Sequence, residues 1–247
     1  MRRPASPLQG VTLRHAVVVI PAHDEASRLR GCVQSVLDAA AHLPFETSVV
    51  VVLDACTDGS AELAQSFGAA VHAVEVNLRN VGAARAAGFD YAKSLPTAAS
   101  DDEVWYATTD ADSRVDPDWL IRQIGSGADV VLGVVRVPNW RNTSTVAIRR
   151  YLSSYQTKYR PDGRGHRHVH GANMGFRAAT YWQTGGFATL ANDEDVDLVN
   201  RFRAAGVRID SDRRISVSTS ARPVGRAPRG FAAHLRSVAT GVTTERT

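Results

Sequence analysis

The 247 residues, 44% apolar and 22% charged, suit one globular domain, or one domain with a tail, long enough to bury a sizeable core. Two cysteines give neither a disulfide framework nor zinc-ligand spacing, which suits a reducing cytoplasm, and no apolar run approaches the roughly 20 residues that cross a bilayer. A net charge of +4 favours anionic partners, yet the arginines that carry most of it lack interleaved aromatics and no nucleic-acid motif occurs, so nucleic acid is not expected as a partner.

Residues 1–14 hold arginines and prolines without an apolar stretch of signal-peptide length and read as a disordered leader. Ala16 to Ile20 then reads as a buried parallel strand, and Leu29, Val33, Val36, Leu37 and Ala40 recur at helical spacing. Val49 to Leu53 repeats the strand signal, Ser60 to Phe67 the helix, and Ala70 to Val76 a third strand. An Ala-rich helix over Gly82 to Leu95 and a fourth strand over Val104 to Thr109 continue the alternation. Asp116 before Pro117 predicts a cap and a helix that ends by Gly127. Beyond a strand at Val130 to Val137 the pattern loosens: Tyr151, Tyr155 and Tyr159 suit a helix, and Arg160 to His168 is polar. Glu194 to Ala205 predicts a helix closed by Gly206, with short strands at Val207 to Ile209 and Ile215 to Thr219. This divides the domain into a first half over 15–115, a looser second half over 116–221, and a basic tail over 222–247. The apolar stretch Phe231 to Val238 in that tail suits a frayed terminus better than an interfacial segment, and the tail is a candidate contact with a membrane surface.

Four polar clusters follow these elements: Pro21-Ala22-His23-Asp24-Glu25, Asp54 to Ser60, Asn80 to Arg85, and Asp110-Ala111-Asp112. In an open parallel sheet, ligands bind beyond the carboxyl ends of the strands, where three of the four would gather. Each alone could be a cap or a turn. The pair Asp110 and Asp112 offers hard oxygen ligands of the kind that hold magnesium or manganese against a diphosphate.

With these clusters in this order the chain resembles a family 2 glycosyltransferase over roughly Val17 to Thr219. Pro21, Asp24 and Glu25 match the family's first motif, and Asp54, Asp58 and Gly59 its second. Gly171 to Arg177 with Gly185-Gly186-Phe187 resembles the acceptor-side segment, and Asp193 to Leu198 the Glu-Asp motif. The resemblance implies the α/β GT-A fold, a Rossmann-like, mostly parallel sheet flanked by helices. It implies inverting hexosyl transfer from a nucleoside diphosphate sugar, UDP-linked by preference, to the hydroxyl of a sugar, lipid or small-molecule acceptor. The donor would be met by Pro21, Ala22, Glu25, Asp54, Arg85 and Asp110, with Asp54 on the base and Glu25 near the ribose. A divalent metal, Mn2+ or Mg2+, would be held by Asp112 with Asp110. Asp195 would be the general base, beside an acceptor-side set of Gly171, Ala172, Asn173 and Glu194. The sequence departs from the family at Asp24, at Cys56 and in the close spacing of Arg85 to Gly82, and no late histidine matches the metal ligand some members carry.

A nucleotidyltransferase would carry a Gly-rich basic loop where Pro21 to Glu25 is acidic and glycine-free, and a catalytically silent nucleotide-sugar-binding protein would not need Asp193, Glu194, Asp195 and Asp197. A dehydrogenase would show Gly-x-Gly-x-x-Gly after the first strand. His166, His168 and His170 alternate as metal ligands on a strand could, but arginines interrupt them and metal binding is the less favoured reading. Trp140 and the three tyrosines could stack on an acceptor, although aromatics at helical spacing more often pack a core.

Overall fold

The computed structural model describes residues 8, 12–140, 144–161, 163 and 165–219. Most of the expected leader and the whole 222–247 tail lie outside the described residues. Among those residues no helix is long and apolar enough to cross a membrane.

The chain opens with strand β1 (His15–Ala22), helix α1 (Ala26–Ala40), β2 (Glu46–Asp54), the short α2 (Ser60–Gln65), β3 (Val71–Val76), α3 (Val81–Ser94) and β4 (Val104–Thr108). There follow β5 (Ser113–Val115), α4 (Trp119–Gly125), β6 (Val130–Arg136), α5 (Thr145–Gln156), β7 (Met174–Arg177), α6 (Ala178–Gln183), α7 (Glu194–Ala204) and β8 (Ile209–Thr219). All eight strands join one sheet in the order β3-β2-β1-β4-β7-β6-β8-β5. β1 pairs in parallel with β2 and β4, and β2 with β3, because helical crossovers return the chain each time. β7 then enters antiparallel to both β4 and β6, so the second half shares the sheet of the first.

Both faces of the sheet are covered, which is why the early strands read as unbroken apolar runs. Side chains of β1 alternate between the two layers: Val18 and Ile20 join Leu29, Val33 and Trp119, whereas Val17 and Val19 join Phe89, Phe176 and Phe202. Gly88 lets α3 lie directly on the sheet, since a Cβ there would overlap Val19 and Val52.

Several expectations are corrected. Val207 to Ile209 and Ile215 to Thr219 mark the two ends of a single strand, β8, whose register against β6 shifts between Leu132 and Val134. The charged residues Asp212, Arg213 and Arg214 fall at that irregularity and broke the apolar signal. Asp116 does not cap α4: its carbonyl accepts from Trp119 N at 3.0 Å in a turn, its carboxylate accepts from Ser216 Oγ at 3.2 Å, and Asp118 is the N-cap. Tyr159 lies beyond the end of α5.

Candidate active site

Loops at the carboxyl ends of β1 and β2 clasp each other through their acidic side chains. Asp24 Oδ1 accepts from the backbone of Thr57 at 2.6 Å and Asp58 at 3.2 Å, while Asp58 Oδ2 accepts from Ala26 N at 3.0 Å. Glu25, whose side chain is buried, donates its amide to Ser60 Oγ at 2.9 Å. Pro21 and Ala22 sit in the sheet opposite Val52 and Leu53, and His23 Nδ1 donates to the Asp54 carbonyl at 2.6 Å. Asp54 does not lie open at a strand end. Its buried carboxylate accepts from the amides of Leu78, Arg79 and Asn80 at 2.7, 2.8 and 2.9 Å, which fastens the β3–α3 loop to β2. Asn80 in turn caps α3 by accepting from Ala83 N at 2.8 Å and donates to the Leu190 carbonyl at 2.7 Å.

Asp24, Ala55, Arg79 and Asp193 are the non-glycine residues with left-handed backbone among the described residues, with φ of 50°, 51°, 48° and 58°. The first three follow β1, β2 and β3, and the fourth precedes α7. Such conformations cost on the order of 1–3 kcal/mol each and persist where surrounding bonds over-determine them, a pattern that concentrates at binding sites.

The acidic pair follows β4. Asp110 and Ser113 form a turn, Asp112 Oδ1 accepts from Thr219 Oγ1 at 3.2 Å, and Cys32 Sγ donates to the Asp110 carbonyl at 3.2 Å. Arg85, expected among the donor ligands, is 3% exposed and joins the two halves of the site: Nη2 donates to Asp110 Oδ1 at 2.7 Å and Nη1 to Glu194 Oε1 at 2.5 Å. Burial opposes its charge, but Asp110, Glu194 and Asp195 together hold its pKa above the usual value. The guanidinium lies flat on Gly171, where a Cβ would come within 2.6 Å of it.

Glu194, Asp195 and Asp197 occupy the first turn of α7, where carboxylates are favoured by the helix dipole. Asp195 Oδ2 accepts from Gly171 N at 2.8 Å and Oδ1 from Val196 N at 2.8 Å. Burial, then the neighbouring Glu194, raise its pKa, with Arg85 and the two amides pulling the other way. Within the segment expected on the acceptor side Ala172 is buried, and Asn173 is a brace: Nδ2 donates to the carbonyls of Val134 and Ile215 at 2.8 and 3.1 Å, and Oδ1 accepts from Trp119 Nε1 at 2.8 Å.

Asp110 and Asp112 fit a hard divalent cation. They supply carboxylate oxygens from one short turn, Asp110 Oδ1 being engaged by Arg85 while its side chain remains 40% exposed, and water or phosphate oxygens usually complete such a shell. A second group, Asp24, Cys56 and Asp58, brings possible ligand atoms within 4.8 Å of one another. Its carboxylates hold backbone amides, and burial raises the Cys56 thiol pKa, so that group serves as the clasp described above.

The alternating histidines form a ring ladder with α5. Tyr155 stacks on His168 at 3.7 Å between centroids, its hydroxyl accepts from Val135 N at 2.9 Å and meets His170 Nε2 at 3.1 Å, and Trp140 lies 5.3 Å from Tyr151. His166 Nε2 donates to the Leu132 carbonyl and Nδ1 accepts from His168 N, so both of its ring nitrogens are engaged. Burial pulls His168 down to about 3. A surface pocket of about 540 Å3 lined by Asp116, Asp118, Arg122, Arg136 and Arg214 holds none of the site residues, and its Arg122 and Arg214 pair with Asp118 and Asp212. Sequence reasoning missed Thr219 and the Asn80 link to Leu190. Only the polar end of a strand and a helix cap marked them.

The sequence profile described as Glycosyl transferase family 2 matches residues 17–185. No curated protein sequence matches the chain. Among solved structures, TarS 1-349 of S. aureus in complex with UDP-GlcNAc aligns with a TM-score of 0.62 at 15% identity, covering 95% of this chain and 68% of that one. The mannosyltransferase PcManGT from Pyrobaculum calidifontis, in complex with GDP-Man and Mn2+, gives 0.64 at 18% identity and covers 90% and 60%. A longer TarS of S. aureus gives 0.62 at 15%, covering 93% and 43%. The chain thus spans less than two thirds of two of these relatives, and at such identities the likeness is one of fold.

Proposed function

The chain belongs to glycosyl transferase family 2 and shares the GT-A fold, and from that premise we propose that it moves a sugar from a nucleoside diphosphate donor to an acceptor hydroxyl with inversion. The observation that carries this reading is the Asp110–Arg85–Glu194 bridge, which sets a metal-type acidic pair beside the N-terminus of a helix bearing Asp195. The nucleoside lies against the loops after β1 and β2, with Asp54 acting through the 78–80 loop it holds. The acceptor oxygen attacks the anomeric carbon as Asp195 takes its proton, and the bond to the diphosphate breaks with the electron pair leaving on phosphate oxygen. A divalent cation held by Asp110 and Asp112, when bound, supplies Lewis-acid neutralisation of that leaving group. The raised pKa of Asp195 suits a base, since a carboxylate above its usual value binds a proton more readily.

Neighbours solved with UDP-GlcNAc and with GDP-Man support a nucleotide-sugar donor, and within that class UDP-linked sugars are our choice. Purified protein incubated with a panel of nucleotide sugars and manganese should slowly release nucleoside diphosphate from at least one of them, and chelator should abolish the release. Proton NMR of the sugar product should show inverted anomeric configuration. No release from any donor, together with no calorimetric binding of UDP or GDP, refutes the reading.

A further inference from the structure

Arg85 is almost wholly enclosed by the protein's own contacts. Its side chain is 3% exposed, its two terminal nitrogens are engaged by carboxylates from different parts of the chain, its flat face covers Gly171, and Phe187 lies 5.6 Å from its Cζ. The three elements it touches are α3, which carries it, the turn after β4, which carries Asp110, and the first turn of α7, which carries Glu194. Gly171 has two roles at once: its missing side chain makes room for the guanidinium, and its amide holds Asp195. A chain of direct contacts therefore runs from the donor-side acid through one planar cation to the backbone that orients the base.

We infer that Arg85 is a positioning residue that fixes the distance between the donor-side acid Asp110 and the base Asp195, and is not a ligand of the donor diphosphate. The inference rests on the proposed glycosyl transfer. Only a guanidinium can do this from the buried position, because its rigid fork meets two carboxylates in one plane, whereas an ammonium is a single point. Misplacement of a reacting group by about 1 Å costs on the order of a hundredfold in rate, so a strut can matter without touching substrate.

The test uses the full chain, UDP with manganese as the binding probe, and hydrolysis of whichever nucleotide sugar the wild type cleaves. Arg85→Lys should leave UDP affinity within about threefold and the donor KM nearly unmoved, while kcat for hydrolysis falls about thirty- to a hundredfold. Glu194→Gln, which keeps an acceptor for Arg85 but removes the charge, should lower kcat several-fold with UDP affinity again intact. Gly171→Ala, which pushes the guanidinium off its seat without altering any charge, should reproduce the Lys variant and provides the test if that variant does not fold. Weakened UDP binding in Arg85→Lys by tenfold or more with kcat preserved would make Arg85 a donor ligand and overturn the inference. So would kcat unchanged in Gly171→Ala, or activity in Arg85→Lys that merely tracks the folded fraction. Wild-type protein that neither binds UDP nor cleaves any nucleotide sugar would instead refute the proposed function and is a separate outcome.

Discussion

Replacing Asp54 by Asn probes how the site is held together. The Asp54 carboxylate divides its bonds: Oδ1 takes the amides of Leu78 and Arg79, and Oδ2 that of Asn80. An Asn keeps an oxygen for the first pair but turns an NH2 toward the Asn80 amide, so one charge-assisted bond is lost and two donors face each other in a buried place. A hydrogen bond to a charged group contributes about 1.5–3 kcal/mol, and that is the expected loss, with Asp54→Ala costing more because all three amides lose their acceptor. At this chain length 1 kcal/mol moves Tm by about 2–4 °C, so a fall of about 3–12 °C follows. Urea titrations should show a lower midpoint at unchanged slope. UDP and UDP-sugar affinities should weaken together, because the loop that loosens carries Arg79 and the cap of α3. If Asp54→Asn left stability within about 0.5 kcal/mol while UDP affinity fell tenfold, the carboxylate would be reading the base directly and the loop argument would be wrong.

Asp195→Asn cannot accept a proton, and donor hydrolysis should drop by about a hundredfold or more with UDP binding near normal; retained activity would reduce Asp195 to a helix cap. Because burial raises the Asp195 pKa and the base works deprotonated, wild-type activity should decline on acidification at a pH above that of an ordinary aspartate, and kcat against pH in the enzyme–donor complex measures this. Asp112→Ala should weaken UDP binding in manganese but leave it unchanged in chelator, a contrast that calorimetry reads directly. His168 is neutral in the fold, with its pKa lowered from 6.5 to about 3, so the unfolded chain binds the extra proton between those values. Its contribution to stability is therefore present above pH 6.5 and lost as pH falls toward 3, by about 1.4 kcal/mol per unit, and His168→Gln should flatten that slope in urea titrations.

The first half was legible because its strands are covered on both faces and its helices carry one apolar stripe, so β1, α1, β2, α3 and β4 each announce themselves. The polar residues that end those strands were equally plain. β7 was not: Met174 to Arg177 is four residues with a glycine, and it is a strand only because β4 and β6 flank it on both sides. β5 is three residues long and depends on β8. Periodicity cannot signal elements whose identity comes from distant partners. The same holds within the site: the resemblance set Arg85 and Asp54 among the residues that meet the donor, and only the fold shows that Arg85 is held by the carboxylates of Asp110 and Glu194 and Asp54 by the amides of residues 78–80. For the ring cluster, the alternation of His166, His168 and His170 left a metal as the less favoured reading and gave no sign of their packing partner Tyr155, which α5 supplies.

The anchoring of Asp112 by Thr219 bears on the order in which the molecule is made. The two residues are 107 positions apart, and the three-residue strand that follows Asp112 has its sheet partner only in the last described strand. At translation rates of about 5–20 residues per second, Thr219 is added roughly 5–20 s after Asp112. β1 to β4 can pair on the ribosome during that interval and Asp110 can already meet Cys32 and Arg85, but Asp112 still lacks Thr219 and β5 its strand partner. A nascent chain would therefore fold its first four strands early and complete the acidic turn only once β8 has been synthesised.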